Sequence, residues 1–431
     1  MAKSFDIVIF GASGYTGKYA VKEAIEILHN YKWAIAGRNM GKLEKTIKDV
    51  EIFTNTALSN VPIIIADIND DKSLRDMTAQ AKVIVNCCGP YRFYGEQVVK
   101  ACIETKTNHV DVSGEPQYME TMQLKYNDAA REKGVYIVSA CGFDSIPADM
   151  GTVFLQKQFN GTVNSVEIYL SSYFLNGYEP KGAGVHFATF ESAVYGFTHA
   201  NELKDIRKQL FRTRMPRLKP LLKEKSKLHK AKEADDRWCL SIPTADHSVI
   251  MRSQRHFYEH ERQRPLQIRS YTTFESLSNA IKSVLAGLIF RKYTEYNCGK
   301  NLLLKYPEFF SFGFASHEGP TEIRNANTKF ETLFVARGWN EKFENPNEEI
   351  TIPMNKKMIT RAVCNNPFYG AASKAALLSA VTIIDESQMM PFKGGVFSPA
   401  AAFKNTNLIE KLQHNGFIFE VVKTEELKAK L

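Results

Sequence analysis

Apolar positions along the chain follow two different rhythms. In the first 150 residues they come as short continuous runs: FDIVIF at 5–10, WAIAG at 33–37, VPIIIADI at 61–68 and AKVIVNCCGPY at 81–91. TNHVDVSGE at 107–115 and the start of GVYIVSACGFDSIPADMG at 134–151 continue the series. Such runs suit strands buried on both faces of a parallel sheet. KYAVKEAIEIL at 18–28 has helical spacing between the first two. Alternating strands and helices make this part an α/β unit with a doubly wound parallel sheet.

Beyond residue 151 the rhythm changes. VNSVEIYLSS at 163–172 reads as a strand of an exposed sheet, and 177–197 as a glycine-rich loop leading into a helix. Leu277, Ile281, Val284, Leu285, Leu288 and Ile289 mark one apolar helix face. NLLLKYPEFFSFGF at 301–314 is a second apolar stretch. The segments 328–339 and 348–354 read as paired strands turning at 345–347. An alanine-rich helix with a small face for close packing is expected over 369–385, and an edge strand over 416–422. The expected division is a first domain over 1–150, a second α+β domain over 151–360 and a C-terminal segment over 361–431.

The first run leads straight into GASGYTG, with Gly11, Gly14 and Gly17 at every third position. Strand, glycine turn and helix form the setting of a dinucleotide phosphate site. Gly11 permits the tight turn, Gly14 lets backbone approach a pyrophosphate, and Gly17 lets the helix pack close to the strand. Ala12, Ser13, Tyr15 and Thr16 complete the loop. Its free N–H groups and the helix dipole attract phosphate. About twenty residues further on, an NAD site carries an acid for the ribose 2′-hydroxyl. Here the second run ends in Arg38 and Asn39. An arginine pairs with a 2′-phosphate, so NADP is the expected cofactor and NAD the less favoured one. Asp67 is a candidate adenine contact, and Asn86, Gly89, Pro90 and Tyr91 lie where the fourth strand turns towards a cofactor. Cys87 and Cys88 read as small core residues on opposite faces of that strand. The loops at 89–95, 111–116 and 142–149 converge on one crevice beyond the strand ends; the last holds Asp144, Ser145, Pro147 and Asp149.

Composition narrows the class. The 431 residues call for two domains. With 44% hydrophobic and 24% charged residues, the chain reads as soluble and globular. Seven cysteines, with neither a CxxC pair nor zinc spacing, point to reduced thiols in a cytosolic or cytosol-facing protein without a metal site. The N-terminal residues carry no secretory signal. The net charge is +9, and 204–232 holds twelve Lys or Arg against two acids, the whole positive excess of the chain. Pro216 and Pro220 interrupt that segment, so one long helix is not expected there. It reads as a solvated loop or as a contact for anionic lipid head groups. No recognition fold accompanies the charge, so nucleic acid is not an expected partner. The stretch 277–290 is 14 residues long and contains Lys282, short of the roughly 20 apolar residues that span a bilayer. Together, 277–290 and 301–314, hinged at 291–300, read either as a hairpin lying in one lipid leaflet or as domain core.

GASGYTG, AGR, NCCGPYRFYGE, DVSGEPQYM, GFDSIPADMG and GGVFSPAAAF at 394–403 occur in that order. Together they resemble the saccharopine dehydrogenase-like oxidoreductases from end to end, and more distantly the mycobacterial trans-acting enoyl reductases. The resemblance implies a Rossmann domain, a second α/β domain and a C-terminal segment returning to the first. It also implies an NAD(P)-dependent oxidoreductase whose relatives are linked to lipid droplets and glycolipid synthesis. It carries over no catalytic residue. His186 and Tyr195 are candidate proton donors, because reducing C=N or C=C needs a proton after the hydride; His186 also reads as a structural histidine. The expected activity is NADPH-dependent reduction of an apolar or lipid-linked substrate at a lipid-droplet or membrane surface. Two other readings stand. One is true saccharopine chemistry, weakened because Arg92 is the only arginine in the assigned loops. The other is a cofactor-binding scaffold on a lipid surface, without turnover. Assembly stays open between a monomer and a homodimer.

Overall fold

The computed structural model describes residues 3–427 apart from 144, 176, 242 and 243. Six strands of the first part are β1 (Phe5–Phe10), β2 (Trp33–Gly37), β3 (Ile63–Ile65), β4 (Ala81–Asn86), β5 (Asn108–Asp111) and β6 (Tyr136–Val138). They lie parallel in the order β3-β2-β1-β4-β5-β6, the doubly wound order, which reverses between β1 and β4. Ile7 and Ile9 enter one core and Val8 the other, all fully buried. That burial on both faces is why the run is continuously apolar. The helix after β1 is Tyr15–Ile27, starting earlier than its apolar spacing suggests because Gly14 caps it in extended conformation.

The second sheet has the order Ile418–Glu426, Lys356–Asn365, Thr328–Trp339, β7 (Thr162–Phe174), Gln267–Phe274, Arg237–Leu240 and Leu228–Ala231. Only the pairing of β7 with Gln267–Phe274 is parallel. β7 overturns the expectation of an exposed-sheet strand: it is central, and its first ten residues are buried. Glu167, the charged residue within this run, lies inside against Lys225 at 2.6 Å and Arg337 at 2.7 Å. The partner of Thr328–Trp339 is Lys356–Asn365 and not 348–354. The carbonyl of Glu348 accepts from Arg264 at 2.6 Å and that of Ile352 from the Trp339 indole at 2.9 Å, so these backbone groups serve side chains instead of a ladder.

Three further expectations change. The basic stretch is not one solvated loop: it contributes to the helix Glu202–Leu210 and the strand Leu228–Ala231. The apolar segments form the helices Leu277–Thr294, Asn297–Lys305 and Pro307–Phe310, broken at 295–296 and not across 291–300. The C-terminal part serves both units. Gly395–Phe397 extends the first sheet beside β6, and the helix Ala372–Glu386 packs on Tyr15–Ile27. Ile418–Glu426 then becomes an edge of the second sheet.

Candidate functional site

The turn after β1 is built around its glycines. Gly11 has φ +81°, and a Cβ there would lie 2.5 Å from Cys88 Sγ. At Gly17 a Cβ would lie 2.1 Å from the Gly11 carbonyl oxygen. The Gly11 N–H donates to the Ala36 carbonyl at 2.9 Å, tying the turn to β2. Gly14 has no side chain to cap the helix, so the first-turn N–H groups point to an open lip. Ala12 is fully buried, Ser13 half-buried and Gly14 exposed. The Tyr15 side chain turns away from this lip. Its hydroxyl donates to the Pro320 carbonyl at 2.6 Å, and its ring stacks on His186 at 4.9 Å and meets Tyr369 edge-on at 4.5 Å. Tyr15 thus clasps the two domains together. The Thr16 carbonyl accepts from Ser373 Oγ at 3.4 Å.

Arg38 is exposed at the end of β2 and close enough to Cys88 to act on its thiol electrostatically. Asn39 caps the helix Met40–Thr54, its side chain accepting from the Lys42 N–H at 3.0 Å. The Asp67 carboxylate closes its own turn, accepting from the Asn69 N–H at 3.0 Å. Asn86 and Tyr91 differ from expectation, because both side chains turn into the domain. Asn86 Oδ1 accepts from the Cys88 N–H at 3.0 Å, and the Tyr91 hydroxyl donates to the Asn86 carbonyl at 2.8 Å. Both residues are buried, so their side chains shape the loop and do not line the crevice. Gly89 is exposed and Pro90 buried at the cap of Tyr91–Glu104. Cys87 and Cys88 lie past the end of β4, half-buried; burial pushes the Cys87 thiol up to about 12.

Beyond the ends of β5 and β6 a cavity of about 720 Å³ separates the two sheets. Gly114, Glu115, Pro116 and Phe143 line it from the first domain. Of the loop at 89–95 nothing lines it; Asp144 lies outside the described residues, and Ser145, Pro147 and Asp149 are buried behind it. Glu115 accepts the N–H groups of Tyr91 at 2.8 Å and Arg92 at 2.9 Å, and burial raises its pKa. From the second domain come Leu170, Phe330 and Phe368, the inner face of Phe187–Thr198, and Ile268 with Ser270. The first turn of Ala245–Glu261 closes one end with His247 and Ser248. Arg207 joins them, bound to Glu120 at 2.7 and 2.9 Å and to Ser248 Oγ at 2.8 Å. Burial, then Arg207 and Arg269, lower the His247 pKa and favour the neutral ring.

This corrects the arginine argument. Arg92 pairs with Glu202 at 2.5 Å and does not line the cavity, whereas Arg207 and Arg269 do. Neither carried a local signal: one sits in the basic stretch and one alone in a strand. The candidate proton donors also fall elsewhere. His186 Nδ1 accepts from the Ala188 N–H at 3.1 Å, capping the helix, and burial followed by His317 lowers its pKa. Tyr195 lies on the other face of that helix, edge-on to Phe93 at 4.7 Å. Neither lines the cavity. Among the described residues no group of His, Cys, Asp and Glu is arranged to hold a metal.

Comparison with known proteins places this geometry. Residues 7–138 match the family model described as the saccharopine dehydrogenase NADP binding domain. A human protein named saccharopine dehydrogenase-like oxidoreductase is 36% identical over 433 residues, covering 99% of each chain. The chain belongs to the saccharopine dehydrogenase-like oxidoreductases. A Caenorhabditis elegans relative, 34% identical over 97% of this chain and 98% of its own, is named lipid droplet localized protein. Apo saccharopine dehydrogenase (L-Glu forming) from Saccharomyces cerevisiae superposes with a TM-score of 0.52 at 10% identity, covering 98% of this chain and 100% of that one, which shows a shared fold. This saccharopine dehydrogenase-like oxidoreductase therefore has an NADP-binding domain. Its own residues fit the cofactor. A Cβ at Gly17 would collide with the Gly11 carbonyl, the helix start is left uncapped, and Arg38 stands exposed where an acid would repel a 2′-phosphate.

Proposed function

We propose that this oxidoreductase uses NADPH to reduce an apolar or lipid-linked substrate while seated on a lipid surface facing the cytosol. One observation carries the surface. Leu285 is 53% exposed, Leu288 60%, Phe309 76% and Phe312 72%, and we take these exposed side chains of the helices over 277–310 and the turn after them as one apolar platform. Such patches mark contact sites. The same segments carry Lys282, Arg291, Lys292, Lys300 and Lys305 against Glu295 and Glu308, a net positive charge that complements anionic head groups. Each basic residue near such a surface contributes about 1 kcal/mol. Exposed Tyr296 and Tyr306 suit the depth of the head groups. The name of the nematode relative agrees with this surface. All seven cysteines are unpaired, as a reducing compartment requires.

The bound cofactor supplies a hydride. The chain holds its phosphates on the turn at 11–17, and Arg38 reads the 2′-phosphate. The Phe143, Leu170, Phe330 and Phe368 walls exclude water from an apolar substrate. Vesicle flotation tests the surface. The wild type floats with mixed phosphatidylcholine–phosphatidylserine vesicles, and the triple variant Leu285→Glu, Leu288→Glu, Phe309→Glu does not; a wild type that stays down removes the surface. Fluorescence titration tests the cofactor site: Arg38→Ala weakens NADPH about tenfold, as loss of a charge-assisted hydrogen bond does, and leaves NADH unchanged. Equal loss of both would deny Arg38 the 2′-phosphate. A second reading, saccharopine as substrate, gains from Arg207 and Arg269 at the cavity, since that substrate is a tricarboxylate. Turnover of saccharopine with NADP would establish it.

A further inference from the structure

The cavity and the platform share a wall. Phe187–Thr198 presents Ser192, Ala193, Gly196 and Phe197 to the cavity. The same helix packs on Leu277–Thr294, the main element of the platform. Phe197 belongs to both: it lines the cavity, is 43% exposed, and meets Phe290 of the platform helix edge-on at 5.3 Å. Phe190 backs the junction against Phe290 at 5.6 Å. On the other side, Gln267–Phe274, whose Ile268 and Ser270 line the cavity, is followed directly by the platform helix. Exposed Leu288 and Ile289 thus stand beside Phe290 in the helix, and Phe290 meets Phe197 at the cavity wall. The lining also carries polar groups, among them Arg207, His247 and Ser248. A volume of about 720 Å³ falls in the usual range for ligand pockets, about 300–1,000 Å³.

From this geometry we infer that the cavity loads sideways from the lipid: an amphiphile with one acyl chain passes over Phe197 without crossing water, polar end leading towards Arg207. The inference rests on the lipid-surface reading. Crossing water would expose the chain at about 0.8 kcal/mol per CH₂, and a path along apolar side chains avoids that barrier.

The test uses the full-length protein and pyrenedodecanoic acid carried in mixed phosphatidylcholine–phosphatidylserine vesicles; loss of excimer emission reports transfer to protein. Two variants address the gate. Phe197→Asp places a charge on the path. Gly196→Trp is directed at the mouth, and a Cβ at Gly196 meets nothing within 4 Å, so a side chain starts there without a clash. Both variants are expected to float as the wild type does and to take up the probe about tenfold more slowly, the effect of one charged or blocked step on a rate. The platform triple variant is expected neither to float nor to take up vesicle-borne probe. Flotation of all gate variants with wild-type transfer rates overturns the sideways path and leaves the surface standing. Transfer at the wild-type rate by the platform triple variant also overturns it. A wild type that fails to float overturns both.

Discussion

Two apolar helices of this chain end in opposite surroundings. The stretch Pro367–Met389, which contains Ala372–Glu386, is long and apolar enough by composition to cross a membrane, yet 83% of its apolar window is buried within the protein. Leu277–Thr294 is less apolar as a whole, and only Ala280 and Thr294 of it are buried. Residue size separates them. Ala375, Ala376 and Ala380 let the first helix lie close to Tyr15–Ile27 and the first sheet. Its polar groups are absorbed internally: Ser379 Oγ donates to the Ala375 carbonyl and Thr382 Oγ1 to the Leu378 carbonyl, each at 2.8 Å. The platform helix carries Leu and Ile on its outer side, and Gly287 there has open space around it. Mean apolarity says that a helix leaves water; the distribution of large and small residues says whether it enters its own protein or another phase.

Ala376→Asp attacks the comparison hardest. An uncompensated charge inside this packing costs on the order of 3–5 kcal/mol, against a total stability of about 5–15 kcal/mol. Little folded protein is expected, and circular dichroism with a thermal melt would show it. A variant that melts like the wild type would mean the helix is not core.

The next effect is smaller and depends on pH. Asp149 is an acid that the buried region already tolerates. Its Oδ2 accepts from Ser253 Oγ at 2.7 Å and from the Ala400 N–H at 2.8 Å, and burial pushes its pKa up to about 7. Between its unfolded value near 4 and about 7 the native state holds the proton more tightly than the unfolded chain. Its contribution to stability therefore falls as pH rises through that window and is level above it. Asp149→Asn is expected to remove this slope from urea-unfolding free energies measured from pH 4 to 8. An unchanged slope would mean that Asp149 is ionised throughout.

The smallest stability change is expected on the platform. Leu285→Glu alone should move unfolding free energy by no more than about 0.5 kcal/mol, as exposed positions do. A loss above about 2 kcal/mol would mean that Leu285 packs against protein and that the two helices are not opposites.

The glycine turn after β1 was legible because its demands are local. Gly11 needs a positive φ, and Gly17 must lie against the Gly11 carbonyl, so glycine spacing after an apolar run announces the backbone itself. The strands β1 and β2 were equally plain, since burial on both faces leaves no polar position from Ile7 to Phe10 or in β2. β7 was misread for the reverse reason: Glu167 looks solvated until Lys225 and Arg337, 58 and 170 residues away in sequence, fold over it.

By itself, the sequence determined the doubly wound domain, its glycine turn, the NADP-binding character of that domain and the family. Those features rest on backbone geometry and on apolar and glycine patterns that are local to each run, even where the strands they form pair at a distance. Only the tertiary structure decided that Arg207 and His247 share a cavity, that Asn86 and Tyr91 turn inward, and that the platform faces out beside Phe197. Each of these depends on which distant segments meet, and a side chain's partner across a hundred residues leaves no periodic trace in the order of the chain.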